Sequence, residues 1–248
     1  MARKHEAEAL LRSGLDPSAI ATTMGISFAS VVQYLYTRVG EGALRHSDIY
    51  FAIPKDKRQK LQRILEAQAD QRFVNLAEFG DHLTWEDVAL FKALRDRKIF
   101  AGDMYEYISE TEIFLHNLVR ETLVASFGED ETGWWRQGIP ADIREKCAGR
   151  SELDEDPSDC KFSYTDLIDL STIIDKNWSI FRDVLPDQYL ADRRMLKRDL
   201  RRLNSLRNTV MHPVKGKKWT EDDFIFVRGL RRIFESSKRV NLNSRDNE

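Results

Sequence analysis

Five apolar residues within a basic segment follow one another at the spacing of an α-helix. Their intervals are four, three, three and four residues, and they are Leu196, Leu200, Leu203, Leu206 and Val210. Because an α-helix has about 3.6 residues per turn, these side chains share one face that other helices must cover. Period-two strand patterns are nearly absent from the rest of the chain. We therefore predict an all-α fold, in which a small helix-turn-helix unit precedes a helical bundle.

The composition allows a substantial core but gives no charge-based clue to a partner. The chain has 248 residues, of which 42% are hydrophobic, and its 39 basic and 41 acidic side chains nearly cancel. Any nucleic-acid or membrane contact must therefore depend on local charge. We see neither a signal-like N-terminus nor an apolar run of membrane length, and we expect a cytoplasmic protein without a membrane partner. Cys147 and Cys160 lack metal-ligand spacing, and no His/Asp/Glu cluster has it, so we expect no metal site. We also expect no cofactor.

Changes in residue type along the chain divide it into four segments. Residues 1–45 predict a helix-turn-helix unit, 46–100 a charged helical connector, 101–236 the bundle, and 237–248 a flexible polar tail. Within the bundle, three pairs have the spacing of capping boxes and predict helix starts: Ser109 with Glu112, Ser163 with Asp166, and Thr220 with Asp223.

The first segment has the pattern of two short helices joined by a tight turn. Ala21 is small where the helices would cross, Gly25 permits a left-handed turn, and Ser27 would cap the second helix. The outward residues of that helix are the candidate DNA contacts, with Gln33 the best reader of base edges: Ser27, Ser30, Gln33 and Thr37. Acidic residues nearly offset the basic ones here, so docking onto a protein remains an alternative to DNA binding.

The leucine-bearing helix carries the strongest local charge and has a defined end. Between Arg193 and Lys218 there are ten basic residues and one acid, Asp199. Pro213 disfavours helical geometry at the preceding residue, so His212 should lie at the last turn or just beyond it. Arg207 lies within the apolar stripe or at its edge. It must therefore extend towards solvent, meet an anion at an interface, or pair with a carboxylate such as Glu112.

The residues Arg207-Asn208-Thr209-Val210-Met211-His212 resemble the Arg-Asn-x-x-x-His signature of the HEPN superfamily, a set of helical bundles that includes many ribonucleases. Residues 101–236 are similar to the variant found at the end of a eukaryotic transcript-surveillance endonuclease and in many bacterial proteins. Four flanking features support the likeness: Tyr105 to Glu112, the Trp134-Trp135 loop, Asp175 to Phe181, and Asp222 to Val227.

The resemblance implies a metal-independent endoribonuclease that acts as a homodimer, with two copies of the motif facing each other. It also implies a role as a toxin or antiphage effector, with an antitoxin or regulatory partner. Arg207 would stabilise the phosphate, His212 would transfer a proton, and Asn208 would orient the imidazole or hold a phosphate oxygen. The nearby cations are expected to bind the RNA substrate: Arg201, Arg202, Lys215, Lys217 and Lys218.

Two other functions compete with this one. In the first, the bundle only dimerises or senses a nucleotide while residues 1–45 bind operator DNA for transcriptional regulation. In the second, the chain is a noncatalytic RNA-binding subunit of a larger complex. Trp134 and Trp135 are interpreted as packing anchors in preference to base-stacking platforms. His46, His82 and His116 are interpreted as ordinary histidines.

Overall fold

The computed structural model describes residues 2–70, 73–80, 82–95, 97–212, 214, 216 and 218–245. Within these ranges, the side chains of 97–100, 131 and 236–245 are not described. The described residues are predominantly helical and include no β-strand, so the predicted all-α class is confirmed. The chain divides into two compact units, Met1–Asp103 and Met104–Glu248, and the division falls inside one long helix.

The first unit contains six helices that precede the long one. They are α1 (Arg3–Arg12), α2 (Pro17–Met24), α3 (Phe28–Gly40), α4 (His46–Ala52), α5 (Lys55–Asp70) and α6 (Trp85–Leu94). A short 3-10 turn lies at Leu76–Phe79. The segment predicted as a connector thus provides α4, α5 and α6 of this unit, whose core includes Leu61, Ile64 and Phe91.

Helices α2 and α3 meet at a sharp angle, and local interactions fix both ends of the turn. Gly25 has the predicted left-handed conformation at φ 61°, and the Ser27 hydroxyl accepts from the Ser30 N–H at 3.2 Å, as predicted. The chain direction changes by 113° between the two helices. Ile20, Val31 and Leu35 are buried within the unit.

No single helix in the described ranges is long and apolar enough to cross a membrane, and only the bent α2–α3 pair meets that test, by length and composition alone.

The second unit begins within α7 (Arg97–Phe127) and contains six further helices. They are α8 (Ala141–Glu152), α9 (Leu167–Lys176), α10 (Trp178–Phe181), α11 (Asp187–Ala191), α12 (Arg193–Met211) and α13 (Glu221–Arg245). A π-helical turn at Glu131–Gly138 and a 3-10 turn at Lys161–Tyr164 lie between α7 and α9. The segment predicted as a tail contributes backbone to α13 as far as Arg245, and its side chains and residues 246–248 lie outside the described part of the chain.

Two of the three predicted helix starts are wrong. Ser109 and Glu112 lie in the interior of α7, whose continuous helical backbone needs no cap at Ser109. Ser163 lies in a 3-10 turn, and Asp166 caps α9 instead, accepting from Ile168 N–H and Asp169 N–H at 3.0 Å each. The third start is correct, because the Thr220 hydroxyl accepts from Asp223 N–H at 3.2 Å at the beginning of α13.

Contacts with α13 define the relative directions of α7 and α12. Tyr107 packs on Phe224 and Phe114 packs on Phe234, so α7 and α13 run in the same direction. Arg202 in α12 pairs with Asp223 at the start of α13, and Tyr189, just before α12, stacks on Phe234 farther along α13, so those two helices are antiparallel. It follows that α7 and α12 also run in opposite directions.

Candidate functional site

The end of α12 presents His212 to solvent, as the Pro213 signal predicts. The helix ends at Met211, and the backbone N–H of His212 donates to the carbonyl of Asn208 at 3.2 Å. Leu196, Leu200, Leu203 and Leu206 are buried, which confirms the predicted apolar face. His212 itself is exposed, so its imidazole is open to a ligand.

Arg207 lies at the edge of that apolar face and contacts a carboxylate from α7. Its Nε donates to Glu112 Oε2 at 3.0 Å, and the two side chains are 36% and 19% exposed. The carboxylate suggested by the sequence is therefore the observed partner. The pair remains open to solvent, which allows the guanidinium to exchange one anion for another.

A small cleft of about 70 Å³ surrounds this ion pair. It is formed by α7 and the last turns of α12, and its lining residues are Tyr105, Ile108, Ser109, Glu112, Arg207, Val210 and Met211. The rim is partly apolar, because Tyr105 and Met211 are 49% and 45% exposed. The cleft thus combines one charged pair with an uncovered apolar edge.

Of the two roles predicted for Asn208, that of orienting the His212 ring is not seen within this single chain. Its side chain is exposed and makes no hydrogen bond to any described residue, so it does not orient the His212 ring here. Its backbone carbonyl accepts the hydrogen bond from the His212 N–H at the end of α12.

His116 is the residue near this site that the sequence interpretation missed. It follows Glu112 by one turn of α7 and is half-buried, with its ring edge-on to Phe162 at 5.2 Å. Its Nδ1 lies 3.5 Å from Thr165 Oγ1, whose hydroxyl donates to the Phe162 carbonyl at 2.7 Å. The four-residue interval from Glu112, which puts both residues on one helix face, was the available sequence signal.

Burial is the largest influence on the His116 imidazole and lowers its pKa. Glu112 and Asp166 act to raise the pKa, whereas Arg207 acts to lower it, and the net direction is downward. His116 is therefore favoured in its neutral form, which is the form that accepts a proton.

The predicted RNA-binding cations are not equivalent. Arg201 and Lys218 are exposed and have no ion pair within the described part of the chain. Arg202 pairs with Asp223 at 2.8 Å and lies over the Phe226 ring at 4.1 Å. Its charge is therefore partly neutralised by the carboxylate. Lys215 and Lys217 lie outside the described residues.

The candidate DNA contacts lie on the outer side of α3. Gln33 and Thr37 are exposed, but the Thr37 hydroxyl donates to the Gln33 carbonyl at 2.8 Å. Ser27 is exposed and Ser30 half-exposed, and their hydroxyls bond each other at 2.8 Å. Gln33 is the member of this group whose side chain has no partner among the described residues.

Most cations near α3 are held by carboxylates of the same unit. Arg38 Nε donates to Glu8 at 2.6 Å, Arg12 Nε donates to Glu8 at 2.9 Å, and Lys4 and Arg38 both bind Glu41. Burial acts to raise the pKa of Glu8, but the bonds from Arg38 and Arg12 outweigh it and lower the pKa. Because these cations already bind carboxylates, they are poorly suited to neutralise phosphates.

Trp134 and Trp135 are packed within the second unit, in agreement with the packing interpretation. Each is 8% exposed, and Trp134 Nε1 donates to the Glu129 carbonyl at 3.2 Å. Trp134 also packs edge-on against Phe162 at 5.7 Å, and the Arg120 guanidinium lies over its ring at 5.9 Å.

Neither the acids nor the thiols suggest another reactive centre. No group of three His, Cys, Asp or Glu side chains suited to a metal ion occurs within the described ranges. Cys147 and Cys160 are free, and burial raises the pKa of Cys147 to about 11, which makes it a poor nucleophile.

Comparison with protein-family models, curated proteins and solved structures finds no match to this chain.

Proposed function

We propose that this protein is a metal-independent endoribonuclease whose catalytic groups are Arg207 and His212 at the end of α12. The Arg207–Glu112 contact at the cleft carries this proposal. A guanidinium that binds a carboxylate at 3.0 Å while remaining 36% exposed is suited to bind a phosphate in its place. Glu112 holds the position that a phosphate oxygen of RNA would take.

The proposed reaction uses the RNA's own 2′-hydroxyl as the nucleophile. This group is tethered beside the phosphate, so much of the proximity that catalysis needs is already present in the substrate. Arg207 stabilises the charge that develops on the phosphate, and His212 transfers a proton at the end of the helix. Asn208 holds a phosphate oxygen once RNA is bound, and Arg201, Arg202, Lys215, Lys217 and Lys218 contact the flanking strand.

The proposed arrangement is a HEPN-like bundle preceded by a helix-turn-helix unit, acting in the cytoplasm as a homodimer. The exposed apolar side chains of Tyr105 and Met211 beside the cleft support a two-fold contact at this surface. The proposed biological role is that of a toxin or antiphage effector held in check by an antitoxin or regulatory partner. Light scattering at micromolar concentration should give twice the chain mass, and a monomer there would reject the shared site.

The direct test is cleavage of a labelled, unstructured RNA of mixed sequence in the presence of EDTA. The wild-type protein should cut it, whereas His212→Ala and Arg207→Ala should each lose on the order of 10²-fold or more in rate. Arg207→Lys should fail as well, because a point charge does not reproduce the forked guanidinium. His82→Ala is the matched control, since His82 is an exposed histidine in the first unit.

A second candidate function is DNA-binding transcriptional regulation by residues 1–45. The 113° bend between α2 and α3 favours it, because helix-turn-helix motifs join their helices at about 90–120°. The carboxylate-bound cations around α3 weigh against tight binding. Gln33→Ala and Ser30→Ala should weaken any DNA binding while leaving RNA cleavage intact. Loss of cleavage in both variants, with the fold preserved, would contradict this division of roles.

A further inference from the structure

His116 and His212 extend away from the Arg207–Glu112 ion pair in opposite directions. His116 lies four residues beyond Glu112 on α7, a rise of about 6 Å along the helix axis. His212 lies five residues beyond Arg207 along α12, a rise of about 7.5 Å. Because α7 and α12 are antiparallel, these two steps diverge. Along the helix axes, His116 and His212 therefore lie on opposite sides of Arg207.

A proton acceptor and a proton donor on opposite sides of the phosphate suit phosphate transesterification. In an in-line displacement the attacking and leaving oxygens lie on opposite sides of phosphorus. The base that receives the proton of the attacking hydroxyl and the acid that protonates the leaving oxygen must then lie on opposite sides as well. A phosphate bound to Arg207 would meet this condition with one side chain from each helix.

The hydrogen bonds around His116 determine which ring nitrogen is available. The Thr165 hydroxyl donates to the Phe162 carbonyl at 2.7 Å, so its oxygen is left to accept a bond from Nδ1–H at 3.5 Å. A proton on Nδ1 suits this contact, and in that tautomer Nε2 keeps its lone pair. The ring is also held edge-on against Phe162, which restricts its rotation.

The charged groups facing His116 come from three directions. Glu112 lies on its own helix, Arg207 on α12, and Asp166 caps the start of α9. Asp166 is engaged by Lys146 at 2.9 Å, and Glu112 by Arg207 at 3.0 Å. In the RNA-free protein both nearby carboxylates are thus occupied by cations.

We infer that His116 is a second catalytic residue, the general base that deprotonates the 2′-hydroxyl of RNA, with His212 as the general acid. This inference rests on the proposed ribonuclease function. His116 Nε2 takes the 2′-hydroxyl proton, the 2′-oxygen bonds to phosphorus, and the bond from phosphorus to the 5′-oxygen breaks. His212 donates a proton to that 5′-oxygen. The products are a 2′,3′-cyclic phosphate and a 5′-hydroxyl, and exchange with water restores both rings.

The test uses an RNA in which sulfur replaces the bridging 5′-oxygen at one linkage that the wild-type protein cuts. A thiolate leaves far more readily than an alkoxide, because a thiol has a pKa of about 8.5. The sulfur linkage therefore needs a general base but no general acid. Rates on the oxygen and sulfur linkages are compared for wild type, His116→Ala, His116→Gln, His212→Ala and the control His82→Ala, with circular dichroism to establish folding.

Both His116 variants should lose about 10²-fold or more on both linkages. His212→Ala should lose a similar factor on the oxygen linkage and recover most of it on sulfur. Wild-type rates for folded His116→Gln would overturn the inference while leaving the ribonuclease function standing, with His212 of a second copy as the other proton carrier. Rescue of His116→Ala by sulfur would also overturn its role as base. Absence of cleavage by wild-type protein would reject both proposals together.

Discussion

The cations beside α3 in the first unit and those near the end of α12 in the second unit differ in how many carboxylates they bind. In the first unit, Arg38 and Arg12 share Glu8, and Lys57 binds Asp16 and Asp87 at 2.9 Å each. In the second unit, Arg201 and Lys218 have no ion pair among the described residues, and Arg207 has one carboxylate and remains partly exposed. The cations beside α3 are thus bound to carboxylates, whereas Arg201 and Lys218 near the end of α12 are open to a ligand.

This difference matters more than the nearly balanced net charge. Phosphate binding depends on cations that can exchange water or a weak partner for phosphate oxygens. Around α3 that exchange would break the contacts that hold the unit together. Around the end of α12 it would cost one solvent-accessible contact with Glu112. The asymmetry supports RNA chemistry in the second unit over DNA binding in the first.

The largest contrast is expected between two arginine substitutions. Arg207→Ala should lower kcat/KM for RNA cleavage by about 10²-fold or more, because it removes the group that stabilises the developing charge. Arg38→Ala should leave kcat/KM unchanged, because the carboxylates of Glu8 and Glu41 already engage its guanidinium. Steady-state cleavage rates measure both. Equal losses in two folded variants would remove the distinction between the units.

A carboxylate substitution in the first unit should change stability and leave the chemistry intact. Asp87 is 5% exposed; burial acts to raise its pKa, but hydrogen bonds from Ser18 and Lys57 outweigh burial and lower the pKa. Asp87→Asn should therefore reduce the free energy of unfolding by about 1–3 kcal/mol near neutral pH. Urea unfolding measures this loss.

The pH dependence of that loss has a defined sign. A lowered folded-state pKa gives stability that is fully present above the unfolded value of 3.8 and is lost as the pH falls through the folded value. The difference between wild type and Asp87→Asn should therefore shrink in acid below pH 3.8. Asp183→Asn is the control, because its pair with Arg182 is largely exposed. A constant difference across this range would contradict the assignment.

The smallest expected effect concerns the salt dependence of RNA binding. Arg201→Ala should reduce the slope of log affinity against log salt by about 0.7, the value for one phosphate contact on a single strand. Arg12→Ala should leave the slope unchanged, since its guanidinium already binds Glu8 and the Ala43 carbonyl. The measurement is fluorescence anisotropy over a salt series. It is made in the His212→Ala background, which is expected to cut RNA slowly. Equal slopes for both variants would contradict the comparison.

Local signals in the sequence predicted the parts of the site that depend on one helix. The leucine spacing predicted the buried face of α12, and Pro213 predicted the exposed end at His212. The position of Arg207 on the stripe gave a carboxylate partner as one of three alternatives. The first two features are determined by residues that lie close together in the sequence. The third follows because an unpaired buried charge is unfavourable.

The features that the sequence did not reveal depend on distant residues. His116 resembles an ordinary histidine until the turn before α9 brings Thr165 beside it and α12 brings Arg207 close enough to affect its pKa. Ser109 has the spacing of a helix cap, but the preceding residues continue the helix, and packing decides where α7 begins. Local capping patterns indicate where a helix can start, and tertiary contacts determine which of these starts is adopted.

The proposed function is tested most directly by cleavage in EDTA of two RNAs that differ by one 2′-hydroxyl. The second RNA carries a 2′-deoxy nucleotide at the position where the wild-type protein cuts the first. If Arg207 and His212 act on an attack by the 2′-hydroxyl, the first RNA is cut at that position in EDTA and the second is left intact there. Cleavage abolished by EDTA, or equal cutting of both RNAs at that position, would contradict the proposed mechanism.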